Sequence, residues 1–155
     1  MGNDLMGDDA VGLQVIRRVR QTVGPDTPFD IHESTESGLA LLDEFTGFDR
    51  VWMVDSILTG RFPAGHLHRF PAHQLPITGP TRLHGLGVGD TLRLGQLLGL
   101  PMPRGVDIFA IEIADPYVIS DRLSPRLQLA LPNLVTMIID SIRCALSEEH
   151  GTGRR

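Results

Sequence analysis

The chain has 155 residues, 41% hydrophobic and 21% charged, which are the proportions of an ordinary globular domain. We expect one domain at residues 1–146 and a flexible polar tail at residues 147–155. The single cysteine excludes an internal disulfide, and we find no run of about 18 apolar residues and no signal-peptide pattern. These features predict a cytoplasmic, monomeric protein that does not bind membranes.

The charge of the chain excludes further classes of function. The net charge is −5, and all 14 basic residues are arginine. Because lysine is absent, a lysine nucleophile, a Schiff base and a P-loop lysine are all excluded. Arg17, Arg18 and Arg20 cluster on one predicted helix, which is typical of a solvated helix face, so we expect no binding to nucleic acid.

Helices and strands alternate along the first half of the chain. Apolar residues at helical spacing predict a helix over residues 8–23, which Gly24 and Pro25 end. A short strand is expected over residues 29–33, and a helix over residues 37–45. The apolar run at residues 50–55 is typical of a strand that is buried on both faces.

The second half continues the alternation. We expect an edge strand over residues 65–70, a leucine-rich helix over residues 86–98 and a strand over residues 106–113. A final helix runs from Ser124 to Leu146, with Pro132 marking a kink or a joint. This order predicts an α/β fold with a small, mostly parallel central sheet, whose ligands bind beyond the carboxyl ends of the strands.

Three side chains are candidates for a metal site at that edge. Asp9 follows the position at which the first strand of such a fold is expected. Asp55 ends the strand over residues 50–55, and His84 lies in a later loop. Two carboxylates and an imidazole would suit nickel or zinc. Each residue also has a structural interpretation: Asp9 or its neighbour Asp8 can cap a helix, Asp55 can cap a turn, and His84 can cap a helix or be solvated. The residues alone leave these alternatives open.

Other polar residues give weaker signals. Glu112 lies in an apolar strand, where burial of an unpaired carboxylate is costly, so it either pairs with an arginine or points into the site. His66 and His68 alternate along the edge strand, either as a metal-binding pair or as part of a solvent-facing surface. Cys144 is expected to be a small buried residue of the last helix. The role of Glu36 stays open.

Six short motifs occur in order along the chain. They are Gly-Asn-x-x-x-x-Asp-Asp-x-x-Gly at residues 2–12, Val-Asp at 54–55, Pro-Ala-Gly at 63–65, His-x-Leu-Gly at 84–87, Leu-Ser-Pro at 123–125 and Ala-Leu-Pro-x-Leu at 130–134. With them the chain resembles the nickel-iron hydrogenase maturation endopeptidases along nearly its whole length. The resemblance implies a three-layer, phosphorylase/hydrolase-like sandwich. It also implies removal of a C-terminal extension from the nickel-loaded precursor of the hydrogenase large subunit.

The resemblance assigns roles to the three candidate residues. It implies that Asp9, Asp55 and His84 bind nickel supplied by the precursor, with Asp9 and Asp55 also catalytic. Two features depart from the family pattern: residues 33–38 replace a glycine-rich loop, and a strand expected before Gly2 is missing or truncated. A non-cleaving relative that only binds the precursor or nickel is the alternative. A receiver-like signalling domain is disfavoured, because such domains rely on a lysine late in the sheet and this chain has no lysine.

Overall fold

The computed structural model describes residues 1–2, 4–74 and 87–152, and this part contains four α-helices and three strands. The helices are α1 (Val11–Val23), α2 (Leu41–Phe45), α3 (Val88–Leu97) and α4 (Pro125–Thr152). The strands are β1 (Arg50–Ile57), β2 (Leu67–Pro71) and β3 (Gly105–Glu112). Short 3₁₀ turns precede α1 at Gly7–Ala10 and α2 at Gly38–Ala40.

The three strands form one small sheet in the order β1-β3-β2. β1 and β3 are parallel, with Asp55 opposite Ala110 and Ile57 opposite Glu112. β2 runs antiparallel to β3 at the edge, with His68 also opposite Ala110. The sheet is therefore mixed, and β2 confirms the predicted edge strand. The central strand β3 is buried along most of its length because both of its faces are covered by helices.

Helices cover both faces of the sheet, which confirms the predicted three-layer α/β sandwich. On one face, α1 and α4 pack against β1 and β3 through a core that includes Val15, Val54 and Ile138. On the other face, α2 and α3 pack through a second core that includes Phe45 and Ile108. The periodic valines of α1 and the apolar β3 thus pack as their sequence patterns predict.

The prediction of a strand over residues 29–33 is wrong. That segment has no strand assignment, and β1 has a strand neighbour on one side only among the described residues. The segment contacts β1 through the rings of Phe29 and Trp52, and both border a cavity of about 370 Å³. A strand requires a partner for its backbone groups, and β1 does not pair with this segment.

The last helix differs from its prediction in three respects. α4 is continuous through Pro132 and extends to Thr152, beyond the predicted end at Leu146. Residues 125–148 are long and apolar enough to cross a membrane by length and composition, with a mean hydropathy of 1.5. Polar residues interrupt this helix, so the sequence contains no unbroken apolar run of that length. Their inner face packs into the core through Leu127 and neighbouring side chains. Cys144 is exposed, because it lies opposite this buried face.

Candidate active site

Asp9 is brought to the sheet by a close approach between α1 and β1. It belongs to the 3₁₀ turn before α1, and its side chain is buried, with 8% exposure. A Cβ atom at Gly12, in the first turn of α1, would lie 2.8 Å from the carbonyl oxygen of Val54 and would also overlap Met1. Only glycine fits this contact, so Gly12 lets the start of α1 bring Asp9 beside the carboxyl end of β1.

Ser56 joins the two candidate aspartates. Its hydroxyl group donates to Oδ1 of Asp9 at 2.6 Å, and its backbone N–H donates to Oδ1 of Asp55 at 2.9 Å. Asp55 is buried, with 6% exposure, near the end of β1. Both aspartates therefore contact Ser56 at the carboxyl end of β1. Nothing in the sequence pattern singled out Ser56 except its place directly after Asp55.

Asp8 points to a different part of the fold. Its Oδ1 accepts a hydrogen bond of 2.6 Å from the backbone N–H of Ser124, just before α4 begins. Asp8 is also buried, with 6% exposure. The two adjacent acids thus separate, since Asp8 anchors the start of α4 and Asp9 faces β1. The sequence suggested that Asp8 or Asp9 caps the first helix, but Asp8 instead binds the residue that precedes the last one.

The amino group of Met1 lies close to both aspartates. It donates a hydrogen bond to the carbonyl oxygen of Val54, the residue before Asp55. Burial lowers the pKa of this amine, while the negative charges of Asp55 and Asp9 act in the opposite direction. The two carboxylates therefore share one electrostatic environment with this amine.

The predicted third ligand, His84, lies outside the described residues. Within residues 1–2, 4–74 and 87–152, no three His, Cys, Asp or Glu side chains are close enough to hold a metal ion. The donors that are described fit a divalent cation in part. Asp9 and Asp55 are two buried carboxylates joined by Ser56, and Oδ2 of Asp9 accepts no hydrogen bond from the described part of the chain. A cation would offset the cost of burying both charges.

Acidic residues near the first helix form ion pairs instead. Arg17 on α1 binds both carboxylate oxygens of Asp4, at 2.8 and 2.7 Å, and Glu33, at 2.8 Å. Arg20 also binds Glu33, at 2.5 Å. The arginine cluster of α1 therefore holds the surrounding loops, and Glu33 does not join Asp9 and Asp55. Glu36 is exposed.

The fold has close counterparts among solved structures. The maturating endopeptidase HybD from E. coli is 20% identical, with a TM-score of 0.75 over 93% of this chain and 89% of that one. HybD from Thermococcus kodakarensis is also 20% identical, with a TM-score of 0.67 over 90% of this chain and 93% of that one. HycI from the same archaeon, again 20% identical, has a TM-score of 0.68 over 90% of this chain and 86% of that one.

The chain has the fold of the hydrogenase maturation proteases. Searches for a matching protein-family model and for a matching curated protein found neither. At about 20% identity the structural likeness describes the architecture, and the chemistry must come from the residues themselves.

Within this maturation-protease fold, Glu112 forms a second buried polar cluster. Its carboxylate has 0% exposure and accepts hydrogen bonds from the backbone N–H of Thr59 at 2.7 Å and of Gly60 at 2.9 Å. The Thr59 hydroxyl at 2.8 Å and Nε2 of His68 at 2.9 Å complete the set. In the described part of the chain Glu112 binds no arginine, and its carboxylate is held by the β1–β2 loop and His68.

The charge state of Glu112 follows from these contacts. Burial on its own raises the pKa of Glu112, but the hydrogen bonds from Thr59, His68 and Gly60 hold it below the ordinary value. The carboxylate is therefore ionised at neutral pH. His68 is half-buried beside it, and the rings of Phe62 and His66 pack against the imidazole. The sequence showed the alternation of His66 and His68 but gave no sign of this partner.

Proposed function

We propose that the chain is a hydrogenase maturation endopeptidase, which removes the C-terminal extension of the nickel-loaded large-subunit precursor. One observation carries this proposal: two buried aspartates, Asp9 and Asp55, meet through Ser56 at the carboxyl edge of a sheet with the maturation-protease fold. Ligand crevices of α/β sheets lie at this edge. We expect the protein to act as a monomer in the cytoplasm, without binding nucleic acid or membranes.

We propose that Asp9, Asp55 and His84 recognise the nickel ion of the precursor. The metal belongs to the substrate, so a precursor that carries nickel gains these three contacts and a precursor without nickel gains none. The difference in affinity allows cleavage only after nickel has been inserted. Carboxylate and imidazole ligands both suit a divalent transition metal.

Hydrolysis of the peptide bond requires a base for the attacking water. A carboxylate of the Asp9–Asp55 pair is suitable, since both side chains are buried and Ser56 fixes them. Nickel bound nearby would supply Lewis-acid chemistry, polarising the scissile carbonyl or lowering the pKa of water. The protein contributes the position of the two carboxylates, which the contact of Gly12 with β1 maintains.

The decisive experiment compares nickel-loaded with nickel-free precursor. Incubation of each with purified protein, followed by intact-mass spectrometry, should show loss of the C-terminal peptide from the loaded form only. Asp9→Asn, Asp55→Asn and His84→Ala should each abolish cleavage while the circular dichroism spectrum stays unchanged. Asp140→Asn on the exposed side of α4 and His73→Ala, also exposed, are the controls and should cleave normally.

Two results would contradict the proposal. Cleavage at the wild-type rate by all three site variants would show that the assigned residues do not form the site. Failure of the wild-type protein to cleave loaded precursor would contradict the endopeptidase function. If nickel or precursor still binds in that case, the protein is the non-cleaving relative instead.

A further inference from the structure

The cluster of Glu112 and His68 lies on the same face of the sheet as Asp55. Asp55 in β1 and His68 in β2 both pair with Ala110 of the central strand, so the three residues form one row across the sheet. Residues paired in this way project to the same face. Two strand spacings separate Asp55 from His68, which is about 10 Å between their Cα atoms. Between them in this row stands only the methyl side chain of Ala110.

Glu112 determines which nitrogen of His68 carries a proton. An ionised carboxylate can only accept hydrogen bonds, so Nε2 of His68 must be the donor in the 2.9 Å contact. The remaining ring nitrogen, Nδ1, accepts no hydrogen bond and donates none within the described residues. Nδ1 is therefore the ring nitrogen that is available to a substrate.

Thr59 and Gly60 make the position of Glu112 rigid. They lie in the loop that leaves β1 four and five residues after Asp55, and together they supply three of the four hydrogen bonds to the carboxylate. Buried polar groups with all partners present fix a single geometry. The same loop thus connects the candidate carboxylates with the imidazole along the chain.

We propose that His68 is the general acid of the cleavage and that Glu112 is its positioning residue. This inference rests on the proposed endopeptidase function. The oxygen of water bonds to the scissile carbonyl carbon, and its proton passes to a carboxylate of the Asp9–Asp55 pair. The bond from that carbon to nitrogen breaks, and the leaving nitrogen takes the proton from Nδ1 of His68. Solvent then returns the proton from the aspartate to His68, which restores both groups.

The groups that contact His68 determine which variant is a suitable control in a pH-dependence experiment. Among the described residues, the titratable groups that touch the imidazole are Glu112 from β3 and His66, two residues earlier, whose ring centroid lies 4.7 Å away. His66 is exposed and stacks on Phe62 with a centroid distance of 4.4 Å. It shares the environment of His68 but lacks the carboxylate, so His66→Gln is the matched control variant.

The test measures cleavage of nickel-loaded precursor against pH. A general acid contributes about 100-fold or more to the rate, so His68→Gln should lower kcat by about that factor, with KM and nickel affinity unchanged. The loss of rate at alkaline pH in the wild-type profile should disappear in His68→Gln and persist in His66→Gln. Added imidazole should restore part of the activity of His68→Ala. Glu112→Gln should lower kcat less than His68→Gln does, with KM unchanged.

A measurement on the wild-type protein covers variants that fail to fold. Nitrogen-15 NMR of the histidine rings should show neutral His68 with its hydrogen on Nε2, and its titration should follow the alkaline limb of kcat. A hydrogen on Nδ1 would overturn the inference, as would wild-type kcat and pH profile in His68→Gln. The second result leaves the endopeptidase function standing. Absence of cleavage by the wild-type protein removes that function and the role of His68 with it.

Discussion

The contact between α1 and β1 makes Gly12→Ala a direct test of how Asp9 is placed. The new methyl group would lie 2.2 Å from the carbonyl oxygen of Met1 and 2.8 Å from that of Val54. Even if Met1 moves aside, the distance to Val54 is about 0.6 Å short of the 3.4 Å at which ordinary contact begins. The first turn of α1 must move by about that amount, and Asp9 moves with it. A misplacement of about 1 Å can cost about 100-fold in rate. We therefore expect about a tenfold loss in cleavage rate and a similar loss in nickel affinity.

The effect of Gly12→Ala on stability combines two opposite contributions. Overpacking costs about 1–3 kcal/mol, and alanine in place of glycine stabilises a helix by up to about 1 kcal/mol. The net destabilisation of about 1 kcal/mol should lower Tm by about 2–4 °C. Gly89→Ala is the matched control, because Gly89 is also the second residue of its helix and follows a valine. Its added methyl group would meet Ala72 at an ordinary distance of 3.5 Å.

Thermal unfolding, nickel titration calorimetry and precursor cleavage measure these effects together. Gly89→Ala should unfold at the wild-type temperature or above it, with wild-type cleavage. If Gly12→Ala behaved in the same way as Gly89→Ala, the close approach would not be what places Asp9, and this explanation of the site would be refuted.

Three further predictions concern the hydrogen bonds of the buried acids. Ser56→Ala removes the 2.6 Å hydrogen bond to Asp9 and should weaken nickel binding about tenfold to 100-fold. Ser56→Thr keeps the hydroxyl group and should bind nickel nearly normally. Equal nickel affinities of the two variants in calorimetry would contradict this prediction. Asp8→Ala removes the acceptor for the Ser124 N–H and should lower the free energy of unfolding by about 1 kcal/mol. The nickel affinity should stay unchanged, and a reduced affinity would place Asp8 in the site. The pKa of Glu112 is lowered in the folded protein, so its ionised carboxylate stabilises the fold at pH values above its ordinary pKa of 4.5. This stabilisation is lost as the pH falls through the lowered pKa of the folded state. The difference in unfolding free energy between wild-type protein and Glu112→Gln should therefore narrow below about pH 4.5 in urea titrations, and a constant difference would contradict the assignment.

The layered fold was predictable because its signals are local. The valine spacing of α1 and the apolar runs of β1 and β3 each indicate one element within a short window, and alternation of elements then implies the α/β class. The strand expected over residues 29–33 failed for a non-local reason. Its composition suits a strand, but pairing depends on a neighbour, and among the described residues β1 pairs with β3 and not with this segment.

The candidate site was predictable only in part. The rule that parallel strands share a carboxyl edge predicts that Asp9 and Asp55 lie near each other, and in the structure both contact Ser56 at the end of β1. The contact of Ser56 with Asp9 spans 47 residues, and that of His68 with Glu112 spans 44. No spacing rule relates residues so far apart, so the partner of Glu112 could not be read from the sequence. Whether His84 joins the aspartates stays a prediction, since it lies outside the described residues.

The position of β1 at the edge of the sheet has a consequence for local opening. β3 is bonded on both sides and buried on both faces, so its amide hydrogens should exchange with solvent only on global unfolding. In β1, successive N–H groups alternate in direction, and those that point away from β3 face the cavity. These should exchange faster, which gives β1 an alternating protection pattern. The strand that carries Asp55 and Ser56 is thus less constrained than its neighbour, and it can adjust locally while the core stays closed.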